Sequence, residues 1–252
     1  LMEKVHAGHP LTEAETAEWQ RVRQRIFDIC GAAAQCGVMV LIDAEDSWIQ
    51  QPVDDMADDM MAAFNKERCI VFNTFQLYRH DRLAFLEASA GKAKRNGYIL
   101  GAKLVRGAYM EKERKRAAEM NYPDPIQPDK AACDRDYDAA VLFCLRHLEH
   151  ISLFIGTHNE QSCMKAVVYM QEHRIPADHD RVYFSQLFGM SDNISFNLAH
   201  AGYNVAKYLP YGPVKDVIPY LMRRAQENTS VKGQTGRELV LISREVKRRR
   251  GE

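Results

Sequence analysis

The chain is 252 residues long, enough for one large domain with a sizeable core, and its 34 lysines and arginines balance its 34 aspartates and glutamates. That balance leaves no electrostatic footprint for nucleic acid or an acidic partner, and the longest apolar runs fall well short of a membrane span. Six scattered cysteines, Cys30, Cys36, Cys69, Cys133, Cys144 and Cys163, form no CxxC pair and read as reduced, buried thiols, not as a zinc ribbon or disulfide framework. Leu1, not Met, opens the sequence, as in a fragment or processed piece, and no signal-peptide pattern follows.

Thr12, with Glu15 at capping-box spacing, opens an amphipathic helix that runs from Leu11-Thr12 to about Cys36 and stops at Gly37. Val38–Ile42 is a buried strand closing on Asp43-Ala44-Glu45-Asp46. A helix from about Pro52 to Asn65 leads to a strand, Cys69–Asn73, that ends at Thr74-Phe75-Gln76. Leu77–Arg95 reads as helix, with Asn96-Gly97 as its stop. The strand Tyr98–Val105 runs into Arg106-Gly107-Ala108-Tyr109. A charged helical piece, Glu111–Met120, then meets a loop over residues 122–129 made irregular by Pro123, Pro125 and Pro128.

Asp134–His150 is predicted helical, and Ile151–Ile155 a strand ending Gly156-Thr157-His158-Asn159. A helix Glu160–His173, a strand Val182–Phe184 ending Ser185-Gln186-Leu187, and a helix Asn193–Ala201 follow. Val205–Leu209 is the last strand. Beyond it Pro213 sits well in a first helical turn, where its missing N–H would be unpaired anyway. From there Val214, Val217, Ile218, Leu221 and Ala225 form one apolar stripe, while Tyr220, Arg223, Arg224 and Glu227 share another face. That second face reads either as a solvated side with an Arg223–Glu227 pair or as an anion clamp of two guanidiniums beside an aromatic ring. The tail Lys247–Arg250 reads as a solvated end, with an anionic membrane surface as the weaker alternative.

Continuous apolar strands alternating with amphipathic helices predict a parallel sheet covered by helices. No GxGxxG follows any strand, which counts against a dinucleotide-binding open sheet. Polar clusters close almost every strand at its C-terminal end, and a (β/α)8 barrel of TIM type gathers such ends around one mouth. A single barrel domain over residues 1–252 is therefore expected. Six strands where eight are needed place two upstream of Leu1 or leave two unrecognised.

At the strand ends, Asp43 and Glu45 are a solvated turn or, in a barrel mouth, an acid/base group or cation partner. Lys103 shares a strand face with Val105, and a lysine inside an apolar strand is costly unless partnered. Arg106-Gly107-Ala108 is a small-residue turn whose backbone N–H groups could meet a phosphate or a ring. His158 could touch a phosphate or act as a base, with Asn159 as a helix cap. His147 and His150, and likewise His173, His179 and Asp180, read as surface, and no metal site is expected.

Four ordered motifs, LIDAE (Leu41–Glu45), KLVRGAY (Lys103–Tyr109), THN (Thr157–Asn159) and YLPYG…YLMRRAQEN (Tyr208–Asn228), resemble the proline dehydrogenase family, flavin enzymes on a distorted (β/α)8 barrel. The resemblance covers most of the chain and points to the monofunctional type. It implies FAD-dependent oxidation of L-proline to 1-pyrroline-5-carboxylate, with hydride passing to the flavin N5 and electrons on to a quinone. It implies that Arg223 and Arg224 bind the substrate carboxylate, that Tyr109, Leu187, Tyr208 and Tyr220 wall the small ring, and that Glu227 steadies the arginines. Asp43 and Lys103 match catalytic positions, and Ala44, Gln76, Arg106, Gly107, Ala108, Thr157 and His158 match FAD contacts. Many bacterial members carry arginine where Lys103 stands. Tyr208 suggests proline over hydroxyproline. The family's substrate-binding lysine strand and the strand before it have no counterpart here, in agreement with the strand count. A cytoplasmic site is expected, peripheral to the inner membrane on the matrix side in a eukaryote. The alternatives are a barrel hydrolase with a metal at Asp43, Glu45 and His158, and a non-catalytic carboxylate-binding relative or inactive fragment.

Overall fold

The computed structural model describes the backbone of residues 1–230 and 234–251, with side chains at all of these save 223, 225–230 and 234–241. The chain divides into two compact units, Leu1–Lys207 and Tyr208–Glu252. The first unit opens with helices α1 (Met2–His6) and α2 (Glu13–Cys36). Then β1 (Val40–Ile42), α3 (Ser47–Phe64), β2 (Val71–Gln76), α4 (Arg82–Asn96), β3 (Leu100–Val105), α5 (Met110–Met120) and α6 (Lys130–Arg146) follow. It continues through β4 (Ile151–Gly156), α7 (Glu160–Glu172), β5 (Val182–Leu187) and α8 (Asp192–His200) to β6 (Val205–Tyr208). The second unit carries α9 (Val214–Ser230) and α10 (Gln234–Arg250).

The six strands form one curled sheet in the order β1-β2-β3-β4-β5-β6, and the pairs from β1 to β5 are all parallel. A doubly wound sheet reverses its order at a switch point; this order never reverses. Right-handed crossovers stepping always in one direction lay their helices on one face. Register and burial separate the two faces cleanly. Val71, Phe75, Leu100, Ala102, Leu104, Ile151, Leu153, Ile155, Val182 and Phe184 belong to the core between sheet and helices. The opposite, inner face carries Phe72, Thr74 and Gln76, then Lys103 and Val105, Phe154, and Tyr183 and Leu187. Phe154 stacks on Tyr183 with ring centroids 4.6 Å apart and meets Phe72 edge-on at 5.0 Å. The apolar residues of β2 are therefore needed on both sides, which is why all six of its residues are buried.

Several boundaries differ from the sequence expectation. α3 begins at Ser47, so Pro52 lies buried in its interior rather than near its start. β2 and β5 run on to Gln76 and Leu187, which makes those polar strand ends part of the ladder. Residues 77–81 are not helical: Leu77 N–H donates to Val105 O and Tyr78 N–H to Arg106 O, extending the pairing past β2. α6 starts at Lys130, where Asp129 caps it by accepting from Ala132 N–H at 2.7 Å. His147 and His150 fall in the turn after α6. α1 and α10 have no counterpart in the expected elements, and Lys247–Arg250 form the last turn of α10. The capping box at Thr12 and Glu15 and the left-handed stops at Gly37 and Gly97 are present as expected.

Candidate active site

The inner face meets its first charge at Lys103. Strand alternation turns this side chain away from the Leu104 core, leaving it half-buried, and its ammonium pairs with the Asp43 carboxylate at the end of β1. One strand lies between these groups, since β2 separates β1 from β3 in the sheet. Beside them Tyr109 Oη donates to Glu45 Oε2 at 2.7 Å, so Glu45 holds the tyrosine that the family resemblance implies for the substrate wall. Gln76, 2% exposed, donates from Nε2 to Glu45 O at 3.1 Å. Its other amide atom, Oε1, is buried with no hydrogen-bond partner. A buried acceptor left unsatisfied costs about 1–3 kcal/mol, so a donor belongs there. Ala44 is half-buried between the two acids.

The turn after β3 is built around Arg106. Its Nε donates to Asp134 Oδ1 at 2.7 Å, Nη1 to Thr157 Oγ1 at 2.7 Å and Nη2 to Ser162 Oγ at 3.0 Å, while the guanidinium carbon lies 4.2 Å from the Tyr137 ring centre. Ser162 Oγ in turn donates to Asp138 at 2.6 Å. Gly107 has φ +136°, and a Cβ built there would lie 2.4 Å from the Tyr78 ring, so only glycine lets the turn close over that ring. Gly107 and Ala108 are exposed.

Thr157 also accepts from Asn159 N–H at 3.0 Å, and Asn159 caps α7 by accepting from Gln161 and Ser162 N–H. His158 Nδ1 lies 3.0 Å from Ser191 Oγ. Ser191 adopts φ +52°, a left-handed conformation uncommon outside glycine and asparagine. Leu187, half-buried, ends β5 just before that loop.

Burial pushes the Asp134 carboxyl up, but hydrogen bonds from Lys130 and Arg106 outweigh it and hold the group below the usual carboxylate range. Asp134 and Asp138 were missed in the sequence. The available signal is their i, i+4 spacing, which puts both carboxylates on one side of α6. Ser191 carried no signal, because backbone strain is invisible before folding.

Within the second unit Tyr208 and Tyr220 approach with ring centroids 5.4 Å apart, tilted by 45°. The Arg224 guanidinium stands 5.1 Å from the centre of the Tyr220 ring. Three of the residues assigned to substrate binding thus form one aromatic–cation cluster. Arg223 and Glu227 belong to α9, but their side chains lie outside the described residues, as does that of Ala225. Of the stripe on the other face, Val214, Ile218 and Leu221 are exposed.

Among the described residues no group of three metal-type side chains converges. Asp43 is engaged by Lys103 and Glu45 by Tyr109, while His158 faces Ser191. No described helix is long and apolar enough to cross a membrane.

A family model described as proline dehydrogenase matches residues 2–237. Human mitochondrial proline dehydrogenase 1 is 42% identical over 242 residues, which are 94% of this chain and 40% of that protein. A hydroxyproline dehydrogenase of Xenopus laevis is 39% identical over 243 residues, 95% of this chain and 52% of that one. The chain therefore spans between two-fifths and about half of these relatives' length. In fold it is similar to the crystal structure of proline utilization A from Bdellovibrio bacteriovorus inactivated by N-propargylglycine. The TM-score is 0.78 at 23% identity, over 84% of this chain and 22% of that one.

Proposed function

Since the chain belongs to the proline dehydrogenase family, we propose that its protein oxidises L-proline to 1-pyrroline-5-carboxylate with FAD, at the mouth of an eight-stranded barrel that includes these six strands. The observation that carries this reading is the convergence of Lys103, Asp43, Glu45 and Tyr109 at the C-terminal end of the inner face. An unbroken strand order supports the barrel.

The residues present fit a flavin. The unpartnered Gln76 Oε1 is a buried acceptor of the kind a ring N–H would satisfy. Arg106, Gly107, Ala108, Thr157, His158 and Ala44 would complete the cradle, with the exposed small residues at 107–108 open to close approach. FAD, when bound, supplies the hydride acceptor and the electron path to a quinone. The chain's own part is orientation and charge. Arg223 and Arg224 grip the substrate carboxylate bidentately. Tyr109, Leu187, Tyr208 and Tyr220 wall the ring, and Glu227 steadies the arginines. Holding the ring in one pose replaces a diffusive encounter with a fixed approach. Lys103, kept in place by Asp43, sets a positive charge where negative charge develops. Tyr208 favours proline over hydroxyproline by filling the space a ring hydroxyl would need. We place the quinone at a membrane surface, contacted peripherally, on the matrix side in a eukaryotic cell. The "mitochondrial" in the human relative's name supports that placement.

Nothing specific favours a metal hydrolase, because its three ligands already have other partners. The test is one spectrum. Purified protein should carry a flavin absorbance that anaerobic L-proline bleaches, and hydroxyproline should bleach it more slowly. Colourless protein that cannot be reconstituted overturns the reading, and proline binding without bleaching points to the non-catalytic relative. Lys103→Met should keep the flavin and slow bleaching by on the order of 10²-fold. Bleaching at the unaltered rate would remove Lys103 from the chemistry.

A further inference from the structure

Glu113 lies in α5 with 0% exposure. Its carboxylate accepts from Ser47 N–H at 2.7 Å and from Ser47 Oγ–H at 2.6 Å. Ser47 is the first residue of α3, and the residue that should cap that helix, Asp46, makes no side-chain cap bond. The orphan N–H at the start of α3 is thus satisfied from a helix 66 residues away. Burying a carboxylate is costly unless it is fully hydrogen-bonded, so the sequence spends an unfavourable group on this one contact.

What the contact joins is informative. Ser47 directly follows the segment of Asp43 and Glu45. Glu113 N–H donates to Tyr109 O at 2.9 Å, so Glu113 also braces the turn that follows Lys103. The two segments follow β1 and β3, which are not sheet neighbours, and the backbone ladder does not set their separation. Lys112 repeats the link by pairing with Asp46 at 2.6 Å, and the Arg116 guanidinium lies 4.3 Å from a Trp48 ring centre.

We infer that Glu113 is a positioning residue, a buried latch that fixes the spacing between the Asp43–Glu45 loop and the Lys103–Tyr109 turn. Its consequence for catalysis rests on the function proposed above; the latch itself does not. An ordinary helix cap would contribute stability alone. A latch also sets the geometry of Tyr109 against the bound substrate.

The test uses the purified protein with Trp48 kept and every other tryptophan, Trp19 among them, replaced by phenylalanine. Glu113→Ala should raise acrylamide quenching of Trp48 in the folded state and raise KM for proline about tenfold. Glu113→Gln should recover most of both, because its amide oxygen still accepts from Ser47. Glu119→Gln, on the exposed side of α5, should change neither. If Glu113→Ala does not fold, Ser47→Ala removes one of the two bonds and should raise quenching and KM in the same sense by a few-fold. A fall in Tm with quenching and KM unchanged, in whichever variant folds, overturns the latch. The fluorescence needs no proline, so its failure sinks the latch alone, whereas unaltered protein that does not oxidise proline sinks only the function reading.

Discussion

Arg106→Met is expected to leave the protein with flavin affinity weaker by on the order of 10²-fold, because a half-buried charge is removed from three hydrogen-bond partners together. Arg106 joins the turn after β3 to the end of β4 and to α6 and α7 through Asp134, Thr157 and Ser162. Methionine fills a similar volume against Tyr137 but satisfies none of them, and the Gly107–Ala108 backbone loses its support. Arg106→Lys should fall between, since a point charge cannot reach three acceptors in fork geometry. Flavin content after purification, measured by absorbance, checks both, and stoichiometric flavin in Arg106→Met overturns the assignment. The pH dependence has a definite sign. The carboxyl of Asp134 is held below its unfolded value, so its contribution is fully present above the unfolded pKa and fades as pH falls through the lower folded one. Acid release of the flavin by this route should therefore begin only below about pH 4.

Arg82→Leu should destabilise the fold by about 3–5 kcal/mol, the usual result of stripping one partner from a buried ion pair. Arg82 is 3% exposed and Asp54 2%. Arg82 Nη2 reaches Asp54 Oδ2 at 3.0 Å, and Asp54 Oδ1 also accepts from Gln50 Nε2 at 3.0 Å and Asn73 Nδ2 at 2.8 Å. Burial pulls the Arg82 guanidinium below its usual range, and Asp54 beside it offsets part of that. The guanidinium also lies 4.0 Å from the Phe85 ring centre, so the loss includes packing. In a domain of this size the Tm should drop by on the order of 10 °C. The double variant Asp54→Leu, Arg82→Leu should be less destabilised than the sum of its singles, because it leaves no orphaned charge. Thermal unfolding of the three variants decides it, and a single-variant cost below about 1 kcal/mol would mean that water reaches the pair. Gln50 carries the effect toward the site, since its Oε1 accepts from Glu45 N–H at 2.9 Å.

The alternation of apolar strands with amphipathic helices determined the parallel sheet by itself, because strands joined through a covering helix run in the same direction. Alternation within β3 likewise determined that Lys103 leaves the core side. Local chemistry fixed the Thr12 capping box, the Asn159 cap and the stops at Gly37 and Gly97, all of which depend on residues within one turn. The tertiary structure alone decided what depends on distance along the chain. Lys103 meets Asp43 and Tyr109 meets Glu45 across an intervening strand, Glu113 caps a helix begun 66 residues earlier, and Arg106 ties three segments together. Sequence periodicity marks which way a side chain points from its own element. Which partner waits there depends on how the elements pack, and that is set only when the sheet has curled.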